Sequence, residues 1–185
     1  MEIFIDTSNI GLIKKWNSTG LISGVTTNPA LLSQQKGDPK ETLSSIASIM
    51  KDRPVSAQVT MSSSENMIAQ GIALSKISKN IIIKLPANYD GYLSLLKLKS
   101  IGIKTNITLC FDPVSAAFFS MSGATYVSMI MGRTDDFNLQ QPSLIERTKK
   151  IFINMNAKAK ILGASFRTPH QVELAMSQGA DILTI

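Results

Sequence analysis

Short runs rich in Ile and Val return along the whole 185-residue chain, and the segments between them carry helical signals. The runs near 2–6, 24–28, 55–60, 81–85, 105–110, 126–131, 160–165 and 181–185 have the length and composition of buried strands. Asp112-Pro113 and Thr168-Pro169 each set a capping residue before a proline suited to the first helical turn. Ser62 and Glu65 have the spacing of a capping box. Gly20, Gly102, Gly123 and Gly179 stand where a helix would hand over to the next strand. Eight strands alternating with seven helices predict a parallel sheet, and eight is the number that closes a (β/α)8 TIM barrel. The competing arrangement is an open doubly wound sheet. It would put a glycine-rich phosphate loop after the first strand, where this chain has Asp6-Thr7-Ser8-Asn9.

No linker or low-complexity stretch divides the chain, so residues 1–185 are expected to form one barrel domain. The sequence reaches Ile185 at the end of the eighth strand, so the final outer helix is expected to be lacking. The seam between strands seven, eight and one would then be covered by another subunit, which predicts a homo-oligomer, or by a longer natural chain.

Several classes of function fall away on composition. No stretch approaches the roughly 18 apolar residues of a membrane helix, and an acidic rather than basic N-terminus argues against a signal peptide. One cysteine excludes an internal disulfide, and one histidine excludes a His-rich metal centre. A cytoplasmic, metal-independent protein without a cofactor is expected. The net charge of +6 fits either nucleic acid or small anionic metabolites. The basic residues are scattered singly or in pairs such as Lys14-Lys15 and Lys149-Lys150, with no Arg-rich tract, which excludes nucleic acid as the expected partner.

In a closed parallel barrel both faces of each strand are largely buried, so a polar residue within a strand demands a reason. Parity groups them. Thr26 with Asn28, Gln58 with Thr60, Asn106 with Thr108, and Ser165 with Arg167 would each share one face of a strand. Each set lies in the later half of its strand or just beyond, the end at which barrel enzymes build active sites. Asp6 closes the first strand and Lys84 nearly closes the fourth.

Lys84 is the sharpest of these, between Ile81-Ile82-Ile83 and Leu85-Pro86. Burial disfavours the ammonium form and leaves an amine able to attack a ketone or aldehyde. The plain alternative is a lysine that extends to solvent at a strand end. Asp6 is the natural proton-transfer partner, or else a cap for the helix that follows. Asn28 before Pro29 is a good helix cap as well as a candidate ligand. The Asn106 amide could bond a substrate hydroxyl, and Thr108 and Gln58 could hold a shuttling water, although a satisfied core polar group is equally ordinary. Arg133 and Arg167, after strands six and seven, suit phosphate through their forked donors; a surface ion pair with Asp135 or Asp136 is the alternative for Arg133. Cys110 reads as a small core residue and His170 as an exposed one, so neither supplies a nucleophile–base pair.

These stretches together resemble the transaldolase family, in particular its small single-domain branch, which includes fructose-6-phosphate aldolases. The matching segments are Phe4-Ile5-Asp6-Thr7, Gly24-Val25-Thr26-Thr27-Asn28-Pro29, Ile83-Lys84-Leu85-Pro86, Asn106-Ile107-Thr108-Leu109, Gly132-Arg133-Thr134-Asp135-Asp136 and Gly163-Ala164-Ser165-Phe166-Arg167-Thr168-Pro169, in family order. The resemblance implies class I aldol chemistry on sugar phosphates, with a Schiff base on Lys84 and proton transfer by Asp6. Asn28 and Asn106 would bind the dihydroxyacetone portion, and Arg133, Ser165 and Arg167 the phosphate. Ser128, followed by Gly132-Arg133, leans toward the transaldolases, with Ser128 beside the substrate. The chain departs from the pattern at Gln58, where transaldolases generally have Glu and the aldolases Gln. It departs again at Ile130, where they have Phe and Tyr respectively. Family members also usually continue past strand eight with a helix and a tail that contribute to ring-shaped oligomers. The implied activity is transaldolase, with fructose-6-phosphate aldolase as the nearest rival and a non-catalytic sugar-phosphate-binding barrel as the alternative of another class.

Overall fold

The computed structural model describes residues 1–132 and 143–185. The Ile- and Val-rich runs form β1 (Glu2–Asp6), β2 (Gly24–Thr26), β3 (Val55–Gln58), β4 (Ile81–Pro86), β5 (Thr105–Cys110), β6 (Tyr126–Ile130), β7 (Lys160–Ala164) and β8 (Ile182–Thr184). Each pairs in parallel with the next, and β8 pairs with β1, so the sheet closes into a barrel in chain order. Around it stand α1 (Ile10–Ser18), α2 (Pro29–Ser33), α3 (Pro39–Met50), α4 (Ser64–Ser75), α5 (Tyr89–Ser100), α6 (Pro113–Met121), α7 (Leu144–Asn154) and α8 (Pro169–Ser177). This is the (β/α)8 architecture expected from the alternation. Among the described residues, the helix beyond the predicted seven is α2, a five-residue segment started by Asn28 and Pro29. No helix among the described residues is long and apolar enough to cross a membrane.

Local chemistry sets most boundaries. Asp112 accepts from Ser115 N at 2.8 Å and Thr168 from Gln171 N at 3.3 Å, each with its proline in the first turn. Gly20, Gly102, Gly123 and Gly179 take left-handed φ values of 74°, 78°, 99° and 87° after their helices, where a Cβ would be strained. The capping box is displaced by one residue. Ser63, not Ser62, caps α4 by accepting from Asn66 N, and a run of three serines offers no way to choose among them.

Register sorts the strand residues into two cores. Outward side chains such as Val25, Ala57, Ile83, Leu85, Val127 and Ile161 join the main cluster with the helices. A second, inner cluster of Phe4, Ile130, Leu162, Ala164 and Ile182 comes from β1 and β6–β8. Phe4 is its centre, fully buried and edge-on to Tyr126 at 6.0 Å. Gly24 makes room for it, since a Cβ there would lie 2.6 Å from the Phe4 ring. Glu2 and Lys160 form an ion pair at the N-terminal ends of β1 and β7. Outside, Ile3, Ile5, Trp16, Leu21 and Ile185 line an apolar crevice of about 240 Å³ along the β1–β8 seam.

Phe4→Ala should cost about 3–5 kcal/mol of stability in urea denaturation, because the inner cluster cannot collapse around the gap. Phe118 on α6 is 61% exposed, and Phe118→Ala should change stability by less than about 0.5 kcal/mol.

Candidate active site

Inward positions near the C-terminal ends of the strands enclose a cavity of about 490 Å³. Asp6, Thr26, Asn28, Gln58, Lys84, Thr108, Ser128 and Ser165 all line it. These are predicted site residues drawn from β1 to β6 and from the segments after β2 and β7. Lys84 is there because Ile83 and Leu85 face the helices, so strand alternation turns Ile82 and Lys84 inward. Lys84 as a residue is 9% exposed, and its amine donates to the Thr27 carbonyl at 3.3 Å. Its strand neighbours in register are Gln58 on β3 and Asn106 on β5. Asp6 and Lys84 are the ionisable side chains among the described residues of the cavity wall.

Hydroxyls and amides fix the rest. Thr26 Oγ1 donates to Asp6 Oδ1 at 2.6 Å and lies 2.6 Å from Thr184 Oγ1. Asn28 makes the helix cap anticipated for it. Its Oδ1 accepts from Leu31 N at 2.9 Å to cap α2, and the residue also lines the cavity. Ser128 Oγ donates to Asn106 Oδ1 at 2.7 Å, and Asn106 Nδ2 donates to Ser56 Oγ at 3.1 Å. Asn106 is fully buried and is not part of the cavity wall. It lies one inward step below Thr108, so its amide is spent on positioning its neighbours.

Two expectations from parity are corrected. Thr60 lies beyond the end of β3 and faces α4, where its hydroxyl accepts from Gln70 Nε2 at 3.0 Å. Arg167 does not continue the Ser165 face. Strand β7 stops at Ala164, Ser165 takes a left-handed φ of 59°, and the chain turns so that Arg167 is exposed and borders a separate groove with Phe166 and Ile185. Its stem still lies near the barrel rim: a Cβ on Gly132 would sit 2.9 Å from Arg167 Cγ and 2.0 Å from the Ser165 carbonyl oxygen. Strand alternation also breaks at Leu109. A bulge in β5 lets Thr108 and Leu109 together oppose Ser128, giving Leu109 a φ of 59° and a place at the cavity wall. Arg133, Asp135 and Asp136 lie outside the described residues.

Thr184 also lines the cavity, and nothing in the motif search singled it out. Parity within β8 was the available signal, because Thr184 follows Ile182 on the inward face and pairs with Phe4.

Comparison with known proteins bears on the whole chain. Residues 3–185 match the family model described as Transaldolase/Fructose-6-phosphate aldolase. A "Probable transaldolase" of Carboxydothermus hydrogenoformans is 45% identical over 185 residues, all of this chain and 86% of that protein. Proteins of the same description from Thermodesulfovibrio yellowstonii, 43% identical with 86% of the relative covered, and Nitrosopumilus maritimus, 41% identical with 83% covered, also align over this chain's full length.

Cys110 and His170 stand apart from the cavity, as expected. His170 is exposed beside Glu173 at 3.6 Å. Cys110 is fully buried, and burial pushes its thiol up from 9.0 to about 12. Between those values the unfolded chain loses a proton that the folded chain keeps, so folding stability falls as pH rises through the window. Below it the contribution is constant. Denaturation midpoints of the wild type and Cys110→Ala, compared across that range, should show the steeper alkaline decline in the wild type. A thiol reagent at neutral pH should label Cys110 only after unfolding.

Proposed function

Because the chain belongs to the transaldolase/fructose-6-phosphate aldolase family, we propose that it transfers a dihydroxyacetone unit between sugar phosphates through a Schiff base on Lys84, as a transaldolase of the pentose phosphate pathway. The observation that carries this reading is a buried primary amine sharing one cavity wall with a carboxylate and a ring of hydroxyl and amide groups.

The neutral Lys84 amine adds to the C2 carbonyl of a ketose phosphate, and the carbinolamine loses water to give an iminium. Asp6 takes the proton of the C4 hydroxyl as the C3–C4 bond breaks. The bonding pair moves into the iminium to form an enamine, and an aldose phosphate departs. An acceptor aldehyde then meets the enamine, Asp6 returns the proton to the new hydroxyl, and water releases the product ketose. The protein's own amine is the electron sink, so the reaction draws on no metal. Thr26 keeps the carboxylate oriented, while Asn28 and Ser128 face the dihydroxyacetone portion. Asn106 acts from beneath by holding Ser128. Ser165 marks the phosphate end, with Arg167 at the adjoining rim and Arg133 immediately after Gly132. On this reading the protein is an enzyme of cytoplasmic carbohydrate metabolism and works as a homo-oligomer.

A second reading, fructose-6-phosphate aldolase, is favoured by Gln58. Its amide stands in register with Lys84 and lines the cavity with Thr108, an arrangement able to hold a water that protonates the enamine. Against it, Ile130 closes that part of the wall with an alkyl group inside the Phe4 cluster, where a hydroxyl would serve protonation.

Borohydride reduction in the presence of fructose 6-phosphate should leave a reduced three-carbon adduct on Lys84, identified by peptide mass. Lys84→Ala should form none and lose roughly four orders of magnitude in turnover. A wild-type protein that gains no mass at Lys84 would overturn the Schiff-base reading. Turnover of fructose 6-phosphate should depend on added erythrose 4-phosphate. Steady release of free dihydroxyacetone without an acceptor would favour the aldolase.

A further inference from the structure

Two threonine hydroxyls meet beside Asp6, and proton counting fixes the direction of their bonds. A hydroxyl has one proton to donate, and an ionised carboxylate can only accept. Thr26 Oγ1 stands 2.6 Å from Asp6 Oδ1 and 2.6 Å from Thr184 Oγ1. With Asp6 ionised, the single Thr26 proton is committed to Oδ1. The short contact to Thr184 is then a hydrogen bond only if Thr184 is the donor. Thr26 and Thr184 are 1% and 4% exposed, so bulk water cannot readily substitute for either.

The placement follows from the barrel. Thr26 is opposite Asp6 on β2, and Thr184 is opposite Phe4 on β8, one inward step lower on the other side of β1. Thr26 thus reaches Asp6 directly from β2, and Thr184 reaches Thr26 from β8. Donation from Thr184 polarises the Thr26 hydroxyl and strengthens its bond to the carboxylate. Oδ1 is held as a permanent acceptor, and Oδ2 is left for the reacting proton.

We propose that Thr184 is a positioning residue for the reaction: through Thr26 it fixes which oxygen of Asp6 exchanges a proton with the substrate. This rests on Asp6 being the proton-transfer group. The other ionisable group facing the site among the described residues is Lys84 from β4. Glu2 on β1 is paired with Lys160 of β7, and Asp181, just before β8, with Lys149 of α7.

The test is steady-state cleavage of fructose 6-phosphate with erythrose 4-phosphate as acceptor, followed across pH, using the full-length enzyme. Thr184→Val keeps the shape and removes the donor. It should lower kcat about tenfold with little change in KM, and move the acid limb of the profile to higher pH by roughly half a unit. Thr184→Ser should restore both. Borohydride trapping at Lys84 should persist in every variant, since the amine is untouched. A Thr184→Val enzyme whose kcat and acid limb match the parent overturns the proposal, as does a Thr184→Ser enzyme no better than the valine variant. Absence of the adduct in the parent overturns the Lys84 reading and this one with it. If Thr184→Val does not fold, Thr184→Cys, which supplies only a weak donor, decides the matter: a partial loss of kcat supports the relay, and parent-like kinetics refute it.

Discussion

On a parallel strand successive side chains point to opposite sides, and closing eight such strands leaves few inward positions, each either packed or hydrogen-bonded. That constraint governs this molecule. Residues paired in register share a side, so Phe4, Thr26, Ser56, Lys84, Asn106, Ser128, Leu162 and Thr184 are committed to the interior together. A slip of one residue in β4 would turn Lys84 toward the helices and bring Ile83 or Leu85 into the cavity. The apolar outward residues oppose that slip, because they are buried against the main core. The position of the amine is therefore secured by its neighbours' burial more than by its own bond to Thr27.

Much of this was readable in advance because burial on both faces leaves a strong compositional trace. The eight Ile- and Val-rich runs became eight strands, with β2, β3, β6, β7 and β8 trimmed by one or two residues and β4 extended by one. Capping prolines and left-handed glycines are local features with local causes, so Asp112, Thr168 and the four post-helical glycines behaved as anticipated. Cys110 and His170 were legible for the same reason: each is described well by its immediate neighbours.

The misses occur where alternation fails. Parity assumes an unbroken strand, and the chain breaks it at the Leu109 bulge and at the Ser165 turn, both with positive φ on residues that seldom adopt it. Leu109 therefore stands at the cavity wall, and Arg167 lies off the face predicted for it. Neither residue type gives warning of this, because Gly or Asn would be the usual sign of such a conformation. Asn106 lies inside β5, with no helix to cap. Its partners, Ser56 and Ser128, lie 50 and 22 residues away in the chain, and only the closed sheet brings them together.

The inner apolar cluster is lopsided. Its members come from β1 and β6–β8, whereas Thr26, Ser56, Gln58, Lys84, Asn106 and Thr108 occupy the interior of β2–β5. Of that cluster, Ile130 and Ala164 reach the cavity wall, while Asp6, Ser128, Ser165 and Thr184 bring polar groups to it from the same side. The asymmetry therefore lies in the floor: water can wet the chamber all round, but beneath β1 and β6–β8 the barrel stays dry.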